Sequence, residues 1–273
     1  MTFRDKLETI IAKNNSLLCV GLDPDLEKLP KHLLETKDPI FEFNKAIIDA
    51  THDLVCVYKP NIAFYEAEGI EGLQSLKKTI EYLQQTYPEI PLLLDAKRGD
   101  IGNTAAKYAK AAFEYWNADA TTVYPHLGLD SLIPFFEYKD KMTIVLVKTS
   151  NKDSGMFQDL PVDGEPYYLR MAEKIKTWSY DNIGIFVGAT YPKEMKGIRQ
   201  LFPDHIFLSA GLGAQQAEIA AIVKAGINAR GSGIMFNASR SILYASSGSD
   251  FADKARTKTL ETRDAINQYR KKS

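Results

Sequence analysis

The sequence lacks the long apolar run that a membrane-spanning helix requires. Among its 273 residues, no apolar stretch approaches the roughly 18 residues needed to cross a bilayer. The formal net charge is only -1, so composition favours neither a nucleic-acid partner nor a membrane-surface partner. No long proline- or serine-rich linker divides the chain. We therefore expect residues 1–273 to form a single domain.

Cysteine and histidine are also scarce. Cys19 and Cys56 both lie inside apolar runs, which predicts reduced core thiols in a cytoplasmic protein. The four histidines have no metal-ligand spacing, and this argues against a structural zinc site. Residues 1–15 mix charged and apolar side chains with a helical period. That pattern predicts an amphipathic N-terminal helix, not a signal peptide.

What the sequence does contain is eight short apolar runs separated by helical patterns. Their near-continuous hydrophobicity is typical of parallel strands covered on both faces. Helical periodicity is clearest over 73–87, 103–116 and 215–225. Eight strand–helix units predict an α/β protein, a single (β/α)8 TIM barrel with parallel strands, and an open doubly wound sheet is the alternative. The predicted strands are 17–22, 56–60, 92–96, 121–124, 143–147, 184–187, 206–210 and 233–236.

The most informative stretch is Asp95-Ala96-Lys97-Arg98-Gly99-Asp100-Ile101, at the end of the third predicted strand. Catalytic groups of such barrels lie where strands end. Asp95 and Lys97 are two residues apart and would share one face of a strand. An ammonium flanked by two carboxylates, Asp95 and Asp100, is costly to desolvate, so Lys97 is a candidate catalytic group. A surface ion pair at a turn is the ordinary alternative.

Polar residues follow the other predicted strands as well. Each has an ordinary explanation when taken alone: Asp23 as a turn former, Lys59 as a rim charge, Arg240 as a surface residue. Taken together, two acids and two lysines would converge from the first three strands. A long segment after the fifth strand, 150–166, is interpreted as a loop over the barrel mouth. The other strand-end sequences are Gly21-Leu22-Asp23-Pro24-Asp25, Lys59-Pro60-Asn61, Tyr124-Pro125-His126, Lys148-Thr149-Ser150-Asn151, Gly211-Leu212-Gly213-Ala214-Gln215 and Asn237-Ala238-Ser239-Arg240-Ser241.

The ends of the last two predicted strands indicate a phosphate site. Gly211 and Gly213 would let backbone N–H groups approach an anion closely. Ser239 and Arg240 are predicted to open the final helix, whose N-terminus also favours negative charge. Arg240 adds a fork of donors suited to phosphate oxygens. Because barrels often bind phosphate at these two loops, we expect a phosphate monoester as substrate.

These motifs, in this order, resemble those of the orotidine 5'-phosphate decarboxylase family. The resemblance extends from the first predicted strand to the eighth, and Lys148-Thr149-Ser150-Asn151 is similar to the longer of the family's two main subgroups. It implies decarboxylation of orotidine 5'-phosphate to uridine 5'-phosphate, the last step of de novo UMP synthesis. It also implies a homodimer that needs neither metal nor organic cofactor. The matching motifs are Gly21-Leu22-Asp23-Pro24, Lys59-Pro60-Asn61, the stretch 95–101, Gly211-Leu212-Gly213-Ala214-Gln215 and Asn237-Ala238-Ser239-Arg240.

The resemblance also implies a role for each matched residue. Lys97 would protonate C6 of the pyrimidine, Asp95 would lie beside the substrate carboxylate, and Lys59 would hydrogen-bond Asp95 and the ribose. Asp100 would reach into the neighbouring subunit's site, with Ile101 and Thr104 beside it. The remaining binding residues would be Asp23 for the ribose hydroxyls, Ser150 for the pyrimidine edge, and Gln215 and Arg240 for the phosphate.

Two other functions stay open at the level of sequence. Magnesium-dependent sugar-phosphate decarboxylases and aldol-type synthases share the Asp-x-Lys-x-x-Asp motif, but they place a metal-binding acid at the end of the second strand. This chain has Lys59 there, and a cation would repel magnesium. A non-catalytic barrel that senses a phosphate ligand would need the phosphate site but not the charged residues around Lys97.

Overall fold

The structure is a barrel of eight parallel strands surrounded by helices. The computed structural model describes residues 1–212 and 216–270. Almost every strand residue is buried, which explains why the strands read as continuous apolar runs. The strands are β1 (Leu18–Leu22), β2 (Val57–Pro60), β3 (Leu93–Arg98), β4 (Ala120–Val123), β5 (Met142–Lys148), β6 (Ile183–Val187), β7 (Phe207–Ala210) and β8 (Ile234–Ala238).

The order of the strands confirms the predicted barrel. Neighbouring strands run β2-β1-β8-β7-β6-β5-β4-β3, and all of these pairs are parallel. Parallel bridges from Tyr58 to Leu92 and from Asn61 to Asp95 then join β2 to β3. The sheet therefore closes on itself, and the alternative of an open doubly wound sheet is wrong.

Helices connect the strands and cover the barrel. The predicted helix 103–116 is observed as α5, which continues into a π-helical turn at Ala111–Tyr115. No helix in the described residues is both long and apolar enough to cross a membrane. The α-helices are α1 (Phe3–Asn14), α2 (Pro39–Thr51), α3 (Ala63–Glu66), α4 (Gly69–Thr86), α5 (Gly102–Lys110), α6 (Ile133–Phe136), α7 (Gly155–Gln158), α8 (Tyr167–Lys176), α9 (Pro192–Leu201), α10 (Gln216–Gly226), α11 (Arg240–Leu243) and α12 (Phe251–Tyr269).

The predicted N-terminal helix, α1, covers the amino-terminal end of the barrel. It begins with a capping box, in which the side chains of Thr2 and Asp5 each accept a hydrogen bond from the other's backbone N–H. Asn14 donates to the carbonyl of Val55, just before β2, and the Phe3 N–H donates to Asp140, just before β5. The apolar face of the helix is buried against the barrel. The carboxyl-terminal ends of the strands are thus left as the open face.

The segment 150–166, which we call the mouth segment, is not the uniform loop that its composition predicts. It contains a 3₁₀ turn at Lys152–Ser154, the short helix α7, and an antiparallel pair of Pro161–Val162 with Glu165–Pro166. Asp163 and Gly164 both have positive φ, at 51° and 79°, as a two-residue hairpin turn requires. The Asp-Gly pair is a recognised hairpin signal that the sequence interpretation overlooked.

The prediction that Ser239 and Arg240 open the final helix is wrong. Arg240 begins α11, which has only four residues, and the long α12 follows at Phe251. The intervening Ala-Ser-Ser-Gly-Ser-Asp is rich in residues that favour turns over helix, so the helical pattern restarts after it. A helix as short as α11 has only a small macrodipole to offer an anion.

Arg199, on α9, links the chain segments that precede β7 and β8 at the amino-terminal end of the barrel. Its side chain is buried, has no carboxylate partner among residues 1–212 and 216–270, and stacks on the ring of Phe207, 3.6 Å from the ring centroid. Burial lowers the pKa of Arg199 to about 10, so it still carries its charge at neutral pH. The guanidinium donates to the carbonyl oxygens of Phe202, Pro203, His205, Gly226 and Gly233.

We expect Arg199→Met to lower the free energy of unfolding by about 3 kcal/mol or more, because it leaves several buried carbonyl groups without donors. Urea unfolding followed by circular dichroism measures this change. The matched control is Arg230→Met, at a side chain that is 64% exposed, and its effect should stay within about 0.5 kcal/mol. Equal stability of the two variants would contradict a bridging role for Arg199.

Candidate active site

Three charged side chains meet where β2 and β3 end. The carboxylate of Asp95 accepts hydrogen bonds from Lys59 Nζ at 3.2 Å and from Lys97 Nζ at 2.7 Å. Lys59 and Asp95 are buried, whereas the side chain of Lys97 is 37% exposed. The structure therefore brings Lys59, Asp95 and Lys97 into direct contact, with Lys97 on the side open to a ligand. We call these three residues the charge array.

Each charge of the array stabilises the ionised form of its neighbour. Burial by itself would raise the pKa of Asp95, but Lys59 and Lys97 outweigh burial and hold that pKa well below its usual range. Burial would likewise lower the pKa of Lys59, and the attraction of Asp95 and Asp23 raises it above its usual range instead. Lys59 and Asp95 consequently both stay charged throughout the neutral pH range.

The backbone at Lys97 departs from a regular strand. Its φ is +46°, in the left-handed region that non-glycine residues rarely adopt. The pairing of β3 with β4 also shifts register between Leu94 and Arg98. The predicted contact of Lys97 with Asp95 is present. It forms because the strand is bulged at this point, and not because the two residues lie on one face of a regular strand. Such a conformation costs about 1–3 kcal/mol and persists only where neighbouring contacts hold it.

Thr122 provides those contacts. Its hydroxyl donates to Asp95 Oδ1 at 2.7 Å and accepts from the backbone N–H of Lys97 at 2.9 Å. Thr122 lies in β4 and is buried. Sequence analysis missed it because only the residues following each strand were considered. The available signal was the polar pair Thr121-Thr122 within an otherwise apolar strand.

Asp23 and Ser239 approach each other over Gly21. A Cβ atom at Gly21 would lie 1.9 Å from Ser239 Oγ and 3.1 Å from Asp23 Oδ2, so this position requires glycine. Asp23 Oδ1 accepts from the backbone N–H of Asn61 at 3.2 Å, and Asn237 donates to Ser239 Oγ at 3.2 Å. These contacts join the ends of β1, β2 and β8 beside the charge array.

The predicted phosphate residues are located only in part. Arg240 follows Ser239 directly at the start of α11, and its side chain is exposed. Gly211 has a φ of +90°, which a residue with a side chain would rarely adopt. Gly213 and Gln215 lie outside the described residues.

Ser150 lies where β5, β6 and β7 end. A Cβ atom at Gly188 would be only 2.7 Å from Ser150 Cβ, and one at Gly211 would be 3.5 Å from Ser150 Oγ. The lack of a side chain at Gly188 thus makes room for Ser150. The sequence analysis did not single out Gly188. Its requirement for glycine comes from a contact between strands that are distant in sequence.

Asp100, Ile101 and Thr104 lie on the surface that follows β3. Asp100 Oδ1 accepts from the N–H of Ile101 at 2.8 Å, and the Ile101 side chain is 59% exposed. Thr104 is exposed in the first turn of α5. Over residues 1–212 and 216–270, Asp100 forms no ion pair with Lys97 of its own chain. That Asp100 reaches a neighbouring subunit's site stays a prediction.

The grouping of possible metal ligands decides whether this site could hold a metal ion. In the part of the chain that the structure describes, no three side chains of His, Cys, Asp or Glu are grouped so that they could hold a metal ion. Around the Asp95 carboxylate, the ammonium groups of Lys59 and Lys97 take the positions where a cation would bind.

Comparison with known proteins agrees with this geometry. Residues 16–255 match the model of the Orotidine 5'-phosphate decarboxylase / HUMPS family. The orotidine 5'-phosphate decarboxylase of Cellvibrio japonicus is 52% identical over 99% of this chain and 100% of its own length, and that of Flavobacterium johnsoniae is 50% identical over 97% of both. The solved structure of Leishmania donovani OMP decarboxylase superposes with a TM-score of 0.85, at 38% identity and 99% coverage of both chains. The chain therefore belongs to the orotidine 5'-phosphate decarboxylase / HUMPS family.

Proposed function

We propose that this protein decarboxylates orotidine 5'-phosphate to uridine 5'-phosphate and carbon dioxide, the last step of de novo UMP synthesis. The observation that carries the proposal is the charge array, in which the partly exposed Lys97 ammonium is bound by the buried Asp95, itself paired with the buried Lys59. The names and high coverage of the relatives support the choice of substrate. We further infer that residues 1–273 act as one catalytic domain, as a homodimer in the cytoplasm.

The chemical difficulty is the carbanion that forms at C6 of the pyrimidine when carbon dioxide leaves. An sp² carbanion without a neighbouring electron sink is very unstable in water. A fixed ammonium aimed at C6 stabilises the negative charge as it develops and can then transfer its proton there. We assign this role to Lys97, because its ammonium is held in place by Asp95 and is accessible from the mouth.

Asp95 and Lys59 keep Lys97 in position. The ionised Asp95 accepts hydrogen bonds from both lysines, so the Lys97 ammonium cannot move away without giving up its bonds to a buried carboxylate. Asp95 would also lie beside the substrate carboxylate and repel it, and departure of neutral carbon dioxide relieves that repulsion. Lys59 occupies the position at which the magnesium-dependent relatives need an acid, which favours a reaction without metal.

The remaining predicted residues would hold the nucleotide away from the reacting carbon. Asp23 is suited to accept hydrogen bonds from ribose hydroxyls, since one of its oxygens faces the space over Gly21 beside Ser239. Gln215 and Arg240 are proposed to bind the phosphate and Ser150 the pyrimidine edge. Binding energy gained at the phosphate can then hold the substrate carboxylate against Asp95.

The decisive test is turnover without metal. We expect the purified protein, treated with excess EDTA, to convert orotidine 5'-phosphate to uridine 5'-phosphate at its full rate, as followed by the absorbance change of the pyrimidine. Lys97→Ala should lower kcat by at least about 100-fold, since removing a well-placed stabilising group costs about 3 kcal/mol or more. Lys107→Ala, on the exposed face of α5, is the control.

Other outcomes would identify the alternatives. Loss of turnover with EDTA and recovery with magnesium would favour the metal-dependent sister enzymes. Binding of orotidine 5'-phosphate without turnover would favour a sensor. A Lys97→Ala variant with most of the wild-type rate would show that the proton donor is a different group.

Thr122 and Thr121 form a matched pair for a second prediction. Thr122→Val removes the hydroxyl that joins Asp95 to the Lys97 backbone, so we expect kcat to fall by about 10- to 100-fold through misplacement of the ammonium. Thr121 is equally buried, but its hydroxyl donates to the Leu94 carbonyl. Thr121→Val should lower the melting temperature with little change in kcat. Equal kcat values for the two variants would contradict the positioning role of Thr122.

A third prediction concerns the shared site. In a homodimer, Asp100 of the partner subunit would approach Lys97, so Asp100→Ala and Lys97→Ala should each be inactive alone. Mixing equal amounts and allowing subunit exchange creates hybrid dimers with one intact site, and about a quarter of the wild-type activity should return. Absence of recovery, with exchange demonstrated by native mass spectrometry, would rule out a site shared in this way.

A further inference from the structure

Lys148, at the end of β5, is a buried cation that the proposed reaction does not use. Its side chain is 1% exposed, and its Nζ lies 2.5 Å from Asp159 Oδ1. The same Nζ lies 5.3 Å and 4.8 Å from the ring centroids of Tyr168 and Tyr191. Within the described residues, Asp159 is its only carboxylate partner. Burying an ammonium is costly, so its contacts must offset a large desolvation penalty.

The partners of Lys148 come from separate elements around the barrel mouth. Asp159 follows α7 in the mouth segment, and Tyr168 lies in the first turn of α8. Tyr191 immediately precedes α9, and its hydroxyl is 2.9 Å from Ser154 Oγ, again in the mouth segment. Lys148 therefore lies where the mouth segment contacts the barrel.

The neighbouring residue, Thr149, is tied to the same segment. Its backbone N–H donates to Gln158 Oε1 at 2.9 Å, and Gln158 Nε2 donates to Thr149 Oγ1 at 2.8 Å. Consecutive residues of the β5 end thus bind consecutive residues of the mouth segment, Lys148 with Asp159 and Thr149 with Gln158. Ser150 is the next residue along the chain.

Ser150 lies against the residue that follows β6. The carbonyl of Lys148 accepts from the N–H of Gly188 at 2.8 Å, and Ser150 packs closely against Gly188. The pairing of β5 with β6 also shifts register between Leu146 and Lys148. The strand pairing is thus irregular just before Thr149 and Ser150, and the side-chain contacts of Lys148 and Thr149 with the mouth segment add to the backbone bond from Gly188.

We propose that Lys148 is a positioning residue, whose ion pair with Asp159 holds the mouth segment against the end of β5 and thereby orients Ser150 toward the pyrimidine. The inference rests on the proposed function, from which the role of Ser150 is taken. A neutral side chain could fill the same space. It could not retain Asp159, whose side chain is 51% exposed and would return to water.

The test is a double-mutant cycle with orotidine 5'-phosphate as substrate. Lys148→Met should lower kcat/KM by about tenfold or more, because a small displacement of a contact residue is enough for such a loss. If Lys148 acts through Ser150, the double variant Lys148→Met/Ser150→Ala should lose no more than Ser150→Ala alone. Losses that multiply would show an effect independent of Ser150 and overturn the proposal.

A second variant and a second measurement keep the test independent of folding and of substrate. Asp159→Asn alters an exposed side chain and should reproduce the loss in part, whereas Lys152→Met, at an exposed lysine of the same segment, should not. Chymotrypsin should cleave native Lys148→Met and Asp159→Asn faster than wild type at Phe157, which is 69% exposed.

The two readouts separate the two proposals. Absence of turnover in the wild-type protein would refute the proposed function. The cleavage rates would still show whether the Lys148–Asp159 ion pair holds the mouth segment in place. If Asp159→Asn has the wild-type cleavage rate and the wild-type kcat/KM, the proposed role of the Lys148–Asp159 ion pair is refuted, whether or not Lys148→Met folds.

Discussion

The architecture of the site depends on one buried carboxylate between two ammonium groups. Asp95 is removed from water in β3, and its pairing with Lys59 and Lys97 offsets the cost of that burial. The same pairing keeps both buried members charged and points the exposed member at the barrel mouth. Stability and reactivity are therefore linked at this point, since removal of the Asp95 carboxylate would free the Lys97 ammonium and leave the buried Lys59 ammonium without that partner.

The pairing of β2 with β3 brings these charges together. A parallel bridge between Asn61 and Asp95 joins the two consecutive strands, so the strands that carry Lys59 and Asp95 lie side by side. Thr122 arrives from β4 on the other side and supports both Asp95 and the left-handed backbone of Lys97. Thus β4, which contributes no charge to the site, supplies the contacts that hold Lys97 in its strained backbone conformation.

The two ends of the barrel use buried cations for different purposes. At the amino-terminal end, Arg199 donates to backbone carbonyls and joins the chain before β7 and β8, which serves stability. At the carboxyl-terminal end, Lys148 binds a carboxylate on the mouth segment, next to a predicted substrate contact. This division agrees with the general separation of stabilising and catalytic faces in such barrels.

Local sequence by itself determined the strands, the main helices and the motif residues at the strand ends. The spacing of apolar residues and the apolar runs are properties of short stretches of sequence, so they indicate helices and strands without knowledge of the fold. The tertiary structure alone decided which polar groups meet. Thr122 contacts Asp95, and Gly188 makes room for Ser150. Lys148 likewise pairs with Asp159. Each contact joins segments that only the folded sheet brings together. The bulge at Lys97 and the brevity of α11 have the same origin, because packing against neighbouring strands and helices overrides local preference there.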